Sequence, residues 1–286
     1  MPSLIDIRRR IRSVKSTQQI TRAMKLVSAA KLRRAQDRVI SARPYSAMFT
    51  RLLSHVAEAA RTDEKLAAHP LLARRPEKRI QLILVTADRG MAGAFNSNLI
   101  KAAVVFVEEH EDAEVLLEAV GRKGRDFFRK RDTAFSGEMV GMTDKAGYAH
   151  AAELGGRIRE RFTAGEIDAV YLLYNEFKSV LTQKLTVERL LPLTLPEHAD
   201  SLDYIYEQPP EQLLAALLPR YVEVGIYRAL LESAAAQQAA RMTAMDAATT
   251  NASDMIGRLT LYMNRVRQAS ITKEIIEVVS GAAAVE

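Results

Sequence analysis

Two long stretches of helix-forming sequence, one at each end of the chain, restrict the fold more than anything between them. Residues 3–60 and roughly 211–283 both read as helix. The last 67 residues hold no proline, and only Gly225, Gly257 and Gly281 interrupt good helix formers such as Ala, Leu, Met, Arg and Gln. At a rise of ~1.5 Å per residue the two arms would reach about 85 Å and about 105 Å. A globular domain of ordinary size is only ~30–40 Å across. Arms of this length cannot curl into one round core, so they are expected to project. The expected class is therefore mixed α+β: a long antiparallel coiled coil of the N- and C-terminal helices plus a small α/β domain with a mainly parallel sheet. The boundaries read as 1–60 for the first helix, 61–208 for the α/β part with its linkers (core about 76–195), and 209–286 for the second helix.

Spacing within the arms gives the packing. Ser3 is a good N-cap with Asp6 three residues on. Pro44 is a candidate bend, and His69-Pro70 and Arg75-Pro76 close the first arm. Pro209-Pro210-Glu211 opens the second. A three-four alternation runs through Leu4, Ile7, Ile11 and Val14 and lapses at Gln18 and Thr21. It resumes, shifted, through Ile20, Met24 and Val27, and later passes Leu32, Val39, Phe49, Leu53 and Val56. In the second arm Val224, Leu231, Met245, Met255, Leu259 and Val266 keep a similar seam, and alanine-dense 234–252 permits close helix approach. Unequal arms around a folded middle imply one chain folding back on itself rather than a parallel zipper dimer.

Between the arms, Ile80–Thr86, Val115–Val120 and Ala169–Tyr174 read as buried strands, with Ala134–Val140 a further candidate. Val180–Glu188 alternates and reads as an antiparallel strand after a turn at Asn175–Lys178. Helices are expected over Ser97–Glu109, Arg122–Lys130 and Lys145–Thr163. Such alternation implies a small, mainly parallel sheet with right-handed crossovers.

Charge is uneven. Residues 1–43 hold twelve Lys/Arg against Asp6 and Asp37, a net of +10; the whole chain is +6, so everything after residue 43 nets −4. The first helix should therefore meet something acidic. There is no cysteine, which removes disulfides, thiolate metal sites and cysteine nucleophiles. No apolar run reaches the ~18–20 residues that cross a bilayer. The Arg- and Ser-rich start resembles a transit peptide in composition, but its apolar spacing continues into the helix, and it reads as mature sequence.

Two glycine pairs follow strands, Gly90 with Gly93 and Gly121 with Gly124. Neither has dinucleotide-fingerprint spacing, and neither carries the Gly-Lys-Ser/Thr of a nucleotide-hydrolysing loop. They read as tight-turn residues. The five histidines are scattered with no i,i+3 or i,i+4 pair, no metal or cofactor is expected, and no nucleophile, base and orienter form a set. Two rivals remain open on these grounds. One is an α/β nucleotide-binding enzyme with helical arms; the other is a basic coiled-coil protein for nucleic acid, whose affinity would fall steeply with salt.

At the C-terminus Ile271-Thr272-Lys273-Glu274-Ile275-Ile276-Glu277-Val278-Val279-Ser280-Gly281-Ala282-Ala283 resembles the signature of the gamma subunits of F-type ATP synthases. Every fixed position of the pattern hydrophobic-Thr-x-Glu-x-x-acid-x-x-x-Gly-Ala is matched. Arg12-Ser13-Val14, Thr17 to Thr21, Ala23-Met24 and Lys31 are similar to that family's first helix, and Thr86 to Gly90, Gly93, Phe95 and Asn96 to its strand-and-turn segment. Glu232, Gln237 to Met242, Ala244-Met245, Ala247 to Thr249 and Asn251 continue the likeness.

The resemblance implies a non-catalytic rotor shaft that transmits rotation of the membrane ring to the catalytic beta subunits for proton-driven ATP synthesis, and for hydrolysis in reverse. It implies one copy per complex, with three alpha and three beta subunits, an epsilon subunit and the membrane c-ring as partners. Nucleic acid is not among them. By the same resemblance Arg267, Gln268, Met24 and Lys25 contact beta. Ile275, Ile276, Val278 and Val279 form a tip turning in an apolar sleeve. Tyr204 and Tyr206 belong to a foot facing epsilon and the ring. The absence of the chloroplast form's cysteine segment points to a bacterial protein, peripheral at the cytoplasmic face of the plasma membrane.

Overall fold

The structure, a computed structural model, describes residues 3–59, 69–131, 133–194 and 207–283. The elements are α1 (Leu4–Ala59), β1 (Arg79–Val85), α2 (Phe95–Glu109), β2 (Glu114–Val120), α3 (Arg122–Arg129), β3 (Phe135–Met139), α4 (Tyr148–Thr163), β4 (Ala169–Phe177), β5 (Gln183–Leu191) and α5 (Pro210–Ala283), with short 3-10 turns at Pro70–Leu72 and Thr143–Lys145. Both terminal arms are thus single helices. Pro44 and Pro219 lie inside helices that continue past them. Ser3 caps α1 as expected: its hydroxyl accepts from the Asp6 N–H (3.2 Å) while Asp6 accepts from the Ser3 N–H (3.3 Å).

The described chain packs as two compact units, one of Met1–Ser28 with Met242–Glu286 and the other of Ala29–Arg241. The larger contains a five-stranded sheet in the order β3-β2-β1-β4-β5, parallel throughout except for the β4–β5 hairpin. Continuous apolar runs such as Arg79–Val85, buried along nearly their whole length, suit a parallel sheet covered on both faces. On one face Ile83, Val85, Val170 and Leu172 pack with Leu154, Ile158 and Phe162 of α4. Leu53 and Val56 of α1 and Leu214, Leu218 and Val222 of α5 join the same cluster. The opposite face meets α2, where Phe106 stacks obliquely on Tyr171 of β4 at 5.1 Å.

Two expectations shift. β5 begins at Gln183, not Val180, and the turn lies beyond Phe177 rather than at Asn175–Lys178. Asn175, Glu176 and Phe177 stay in the ladder because the carboxylate of Glu232 on α5 accepts the Phe177 N–H (3.0 Å), and Ser179 and Thr182 close the turn instead. Likewise α4 starts at Tyr148 because residues 143–145 form a separate 3-10 turn.

Candidate functional site

The smaller unit is a pair of antiparallel helix segments. The Thr21 and Thr249 hydroxyls lie 2.8 Å apart, and Lys25 reaches Asp246 at 2.5 Å, so one residue number rises as its partner's falls. From Leu4 to Ser28 the buried or half-buried positions are Leu4, Ile7, Ile11, Val14, Gln18, Thr21, Lys25 and Ser28, an unbroken three-four stripe, with Met24 beside it. The expected lapse at Gln18 and Thr21 is therefore no lapse: the seam holds its spacing and changes its chemistry. The expected shifted path fails, since Ile20 and Val27 are each 56% exposed, whereas Thr21 and Ser28 are buried. On α5 the same stripe runs Met242, Met245, Thr249, Ala252, Ile256, Leu259, Met263, Val266 and Ser270, which leaves the expected seam residue Met255 one position outside and exposed.

Three surfaces follow from this seam. Beyond Ser270 no described side chain is buried. Ile275, Ile276, Val278 and Val279 are 58%, 58%, 72% and 62% exposed, an apolar helix end left uncovered among the described residues. Just before it Arg267 and Gln268 are exposed beside the seam residue Val266. On α1, Arg8, Arg9, Arg10, Arg12, Lys15 and Arg22 are all exposed and, among the described residues, make no ion pair, while Ile5, Ile20 and Leu26 lie bare among them. Met24 is half-buried, and Lys25 spends its ammonium on Asp246, so of the two only Met24 offers an uncommitted group. Tyr204 and Tyr206 lie outside the described residues.

The Gly121–Gly124 turn holds no phosphate loop. Asp88, just after β1, accepts from the N–H of Arg122 (3.1 Å), the N–H of Gly141 (2.8 Å), and the N–H (3.1 Å) and hydroxyl (2.7 Å) of Thr143. Burial opposes its ionisation, but these donors outweigh it and hold the carboxyl below its ordinary range. The first turn of α3 is wholly engaged within the chain. Arg122 N–H goes to Asp88, Lys123 N–H to the Ala87 carbonyl (3.0 Å) and Gly124 N–H to the Thr86 hydroxyl (2.9 Å). No donor is left there for a phosphate. Gly121 has φ +95°, and a Cβ on it would collide with the Thr86 carbonyl oxygen. Sequence reasoning registered the glycines and missed the carboxylate that organises them; an Asp directly before an Arg-Gly turn was the available signal.

A second buried charge cluster lies at the sheet. Glu118 of β2 accepts from Arg157 (2.9 Å), Ser136 (3.1 Å) and Gln81 (3.4 Å). Burial dominates and raises its carboxyl despite Arg157. Its carboxylate oxygens also fill the space where a side chain at Gly137 would go, which is why β3 carries glycine there. These contacts close on themselves and form no reactive set.

Comparison with known proteins agrees with this arrangement. A family model described as ATP synthase matches residues 3–285. The chain is 65% identical to the ATP synthase gamma chain of Solibacter usitatus over 286 residues, and 52% identical to that of Pelotomaculum thermopropionicum over 289, in each case across 100% of both chains. Among solved structures, a chain of the Euglena gracilis mitochondrial ATP synthase in rotational state 3 shares the fold with TM-score 0.67 at 18% identity, covering 99% of this chain and 94% of its own. A chain from the central stalk and c-ring of the Tetrahymena thermophila mitochondrial ATP synthase aligns with TM-score 0.62 at 24% identity, covering 80% of this chain and 99% of its own.

Proposed function

The chain belongs to the ATP synthase gamma-chain family, and from that premise we propose that it is the central rotor shaft of an F-type ATP synthase, transmitting rotation of a membrane ring to catalytic beta subunits. It performs no bond chemistry. One copy turns within three alpha and three beta subunits and joins an epsilon subunit and the c-ring, with Tyr204 and Tyr206 in the foot that faces them. The complex is peripheral at the cytoplasmic face of a bacterial plasma membrane; no described helix is long and apolar enough to cross one. Proton flow drives ATP synthesis, and hydrolysis runs it in reverse.

The observation that carries this reading is the uncovered apolar end of α5. Fully burying an Ile or Val contributes about 1.5–3 kcal/mol, so Ile275, Ile276, Val278 and Val279, more than half exposed, favour a covering sleeve. An apolar sleeve suits rotation because it offers no directional bond to be broken at each angle. Arg267 and Gln268, below the tip, touch a beta subunit, and Met24, with the exposed cations of α1, passes acidic levers of beta. A shaft can hold identical catalytic subunits in different states only if its faces interact unequally with those states. Here one helix face is basic and the tip is apolar.

Reconstitution with alpha and beta subunits tests the reading. One copy per three of each should assemble, and Met24→Lys should slow coupled turnover more than it weakens assembly. Arg267→Ala should lower ATP synthesis. Failure to co-assemble with alpha and beta would sink the proposal; unchanged coupling in Met24→Lys would reduce Met24 to a packing residue.

A further inference from the structure

The larger unit contains a basic cleft apart from the apolar end and the seam. Its volume is 650 Å³, and it is lined by Lys31, Arg34 and Arg38 of α1, Arg89 of the turn after β1, Arg122 at the start of α3, and Lys145 of the second 3-10 turn. Six cations thus converge from four separate segments onto one concavity. The single carboxylate in its wall is Asp88, whose oxygens already accept four hydrogen bonds from the chain. Arg38 donates to the Ala146 carbonyl; Arg34, Arg89, Arg122 and Lys145 make no side-chain hydrogen bond or ion pair among the described residues. Like charges gathered this closely repel, so the free cleft is a place of high positive potential with low-dielectric walls, and such clefts concentrate anions.

We propose that this cleft binds a condensed phosphate, either free pyrophosphate or the phosphate tail of a nucleotide. The lining decides the chemistry. Guanidinium forks match phosphate oxygens bidentately, and Arg34, Arg89 and Arg122 present three of them without another partner. One orthophosphate would leave most of 650 Å³ empty, whereas a chain of two or three phosphates offers more oxygens to Arg34, Arg89, Arg122 and Lys145 around it. No aromatic side chain lines the cleft, so there is no platform for a base, and recognition rests on the phosphates. The amide groups of α3 take no part, being engaged inside the turn, and the side chains alone form the site.

Titration calorimetry on the full chain at low ionic strength tests this, with pyrophosphate, orthophosphate and ATP as probes. Pyrophosphate should bind one per chain, more tightly than orthophosphate, and weaken as salt is added. The pair Arg34→Ala/Arg122→Ala should weaken it by about a hundredfold or more, the scale of two lost charged hydrogen bonds. The pair Arg9→Ala/Arg12→Ala, equal in charge removed but in the other unit, should change it by less than about twofold. Arg34→Lys, which keeps the charge and loses the fork, should bind more tightly than Arg34→Ala and more weakly than wild type, which separates loss of a ligand group from loss of fold. Should ATP bind more tightly than pyrophosphate, the natural source is a nucleotide; equal or weaker binding assigns free pyrophosphate. No pyrophosphate binding at low salt, or equal weakening by both pairs, overturns the proposal. None of these outcomes depends on whether the chain assembles with other subunits.

Discussion

Arg43 and Glu232 provide the sharpest quantitative test of how the helices are held to the sheet. The Glu232 carboxylate, 5% exposed, accepts from Arg43 Nε (3.1 Å) and Nη2 (2.9 Å) and from the Phe177 N–H (3.0 Å), and Arg43 Nη2 also donates to the Phe177 carbonyl (2.9 Å). One ion pair therefore joins α1, α5 and the end of β4. Its two halves are not equivalent, because the Arg43 side chain is 48% exposed. Breaking a buried pair by removing one partner costs about 3–5 kcal/mol, most of it from the charge left behind. In Arg43→Met the charge left behind is the buried carboxylate, with one N–H remaining, and the cost should be about 3 kcal/mol, the low end because the pair is partly hydrated. In Glu232→Gln the amide oxygen still accepts from Phe177 and the arginine can turn to water, so about 1–1.5 kcal/mol is expected. Thermal unfolding should show Tm falling by about 6–12 °C for the first and about 2–6 °C for the second. Amide exchange at Phe177 should accelerate more in Glu232→Ala than in Arg43→Met, since only the former removes its acceptor. A Glu232→Gln variant as unstable as Arg43→Met would refute the assignment of the cost to the stranded carboxylate.

Asp88→Asn should destabilise by about 1–3 kcal/mol at neutral pH. Because the folded carboxyl titrates below its ordinary value of 3.8, its contribution is present above that pH and lost as pH falls through the folded value, so urea midpoints of wild type and variant should converge in acid. Glu118 behaves oppositely. Its raised carboxyl makes ionisation unfavourable in the fold, so stability declines as pH rises from 4.5 through the folded value, and Glu118→Gln should flatten that decline. Gly121→Ala should cost about 2–4 kcal/mol from a positive φ and a collision with Thr86, read as lower soluble yield and Tm. In the seam, Thr21→Val should cost less than about 1 kcal/mol, because Thr249 keeps its hydrogen bond to the Met245 carbonyl (2.7 Å), and a double-mutant cycle with Thr249→Val should return a coupling of the same small size.

What the sequence disclosed was whatever depended on local preference. Both long helices, the Ser3 cap and the places of the strands along the chain followed from composition and period, the helices because 56 and 74 residues of good helix formers leave no alternative. What escaped was decided at a distance. Asn175 is a turn former by propensity, yet it and Glu176 stay in β4 because a carboxylate on α5 and a guanidinium on α1 grip the next residue. Searching for the seam among apolar residues drew it through Ile20 and Val27, although strict heptad spacing already pointed to Thr21 and Ser28. The Asp88 hub and the basic cleft gather residues from 31 to 145, a juxtaposition that no window of sequence contains.

The polar middle of that seam has a consequence for what lies past it. A purely apolar heptad stripe can slide by one repeat, about 10 Å, at little cost. Here a slip of seven residues would set Thr21 against Met242 or Ile256 and Lys25 against Ala239 or Ser253 in place of Thr249 and Asp246. The exposed Lys25–Asp246 pair contributes less than about 1 kcal/mol. Thr21 can fall back on the Gln18 carbonyl, so its own penalty is also modest. The two together still bias the register, and more strongly than alanine or leucine at those positions would. Register in turn fixes where α1 stops covering α5: with Leu4 as the first seam residue and Ser270 the last, 271–280 are left bare. The length of that apolar end is therefore set by contacts well inside the two helices, these hydroxyls and the Lys25–Asp246 pair together with Arg43–Glu232 nearer the sheet, not by the residues of the end itself.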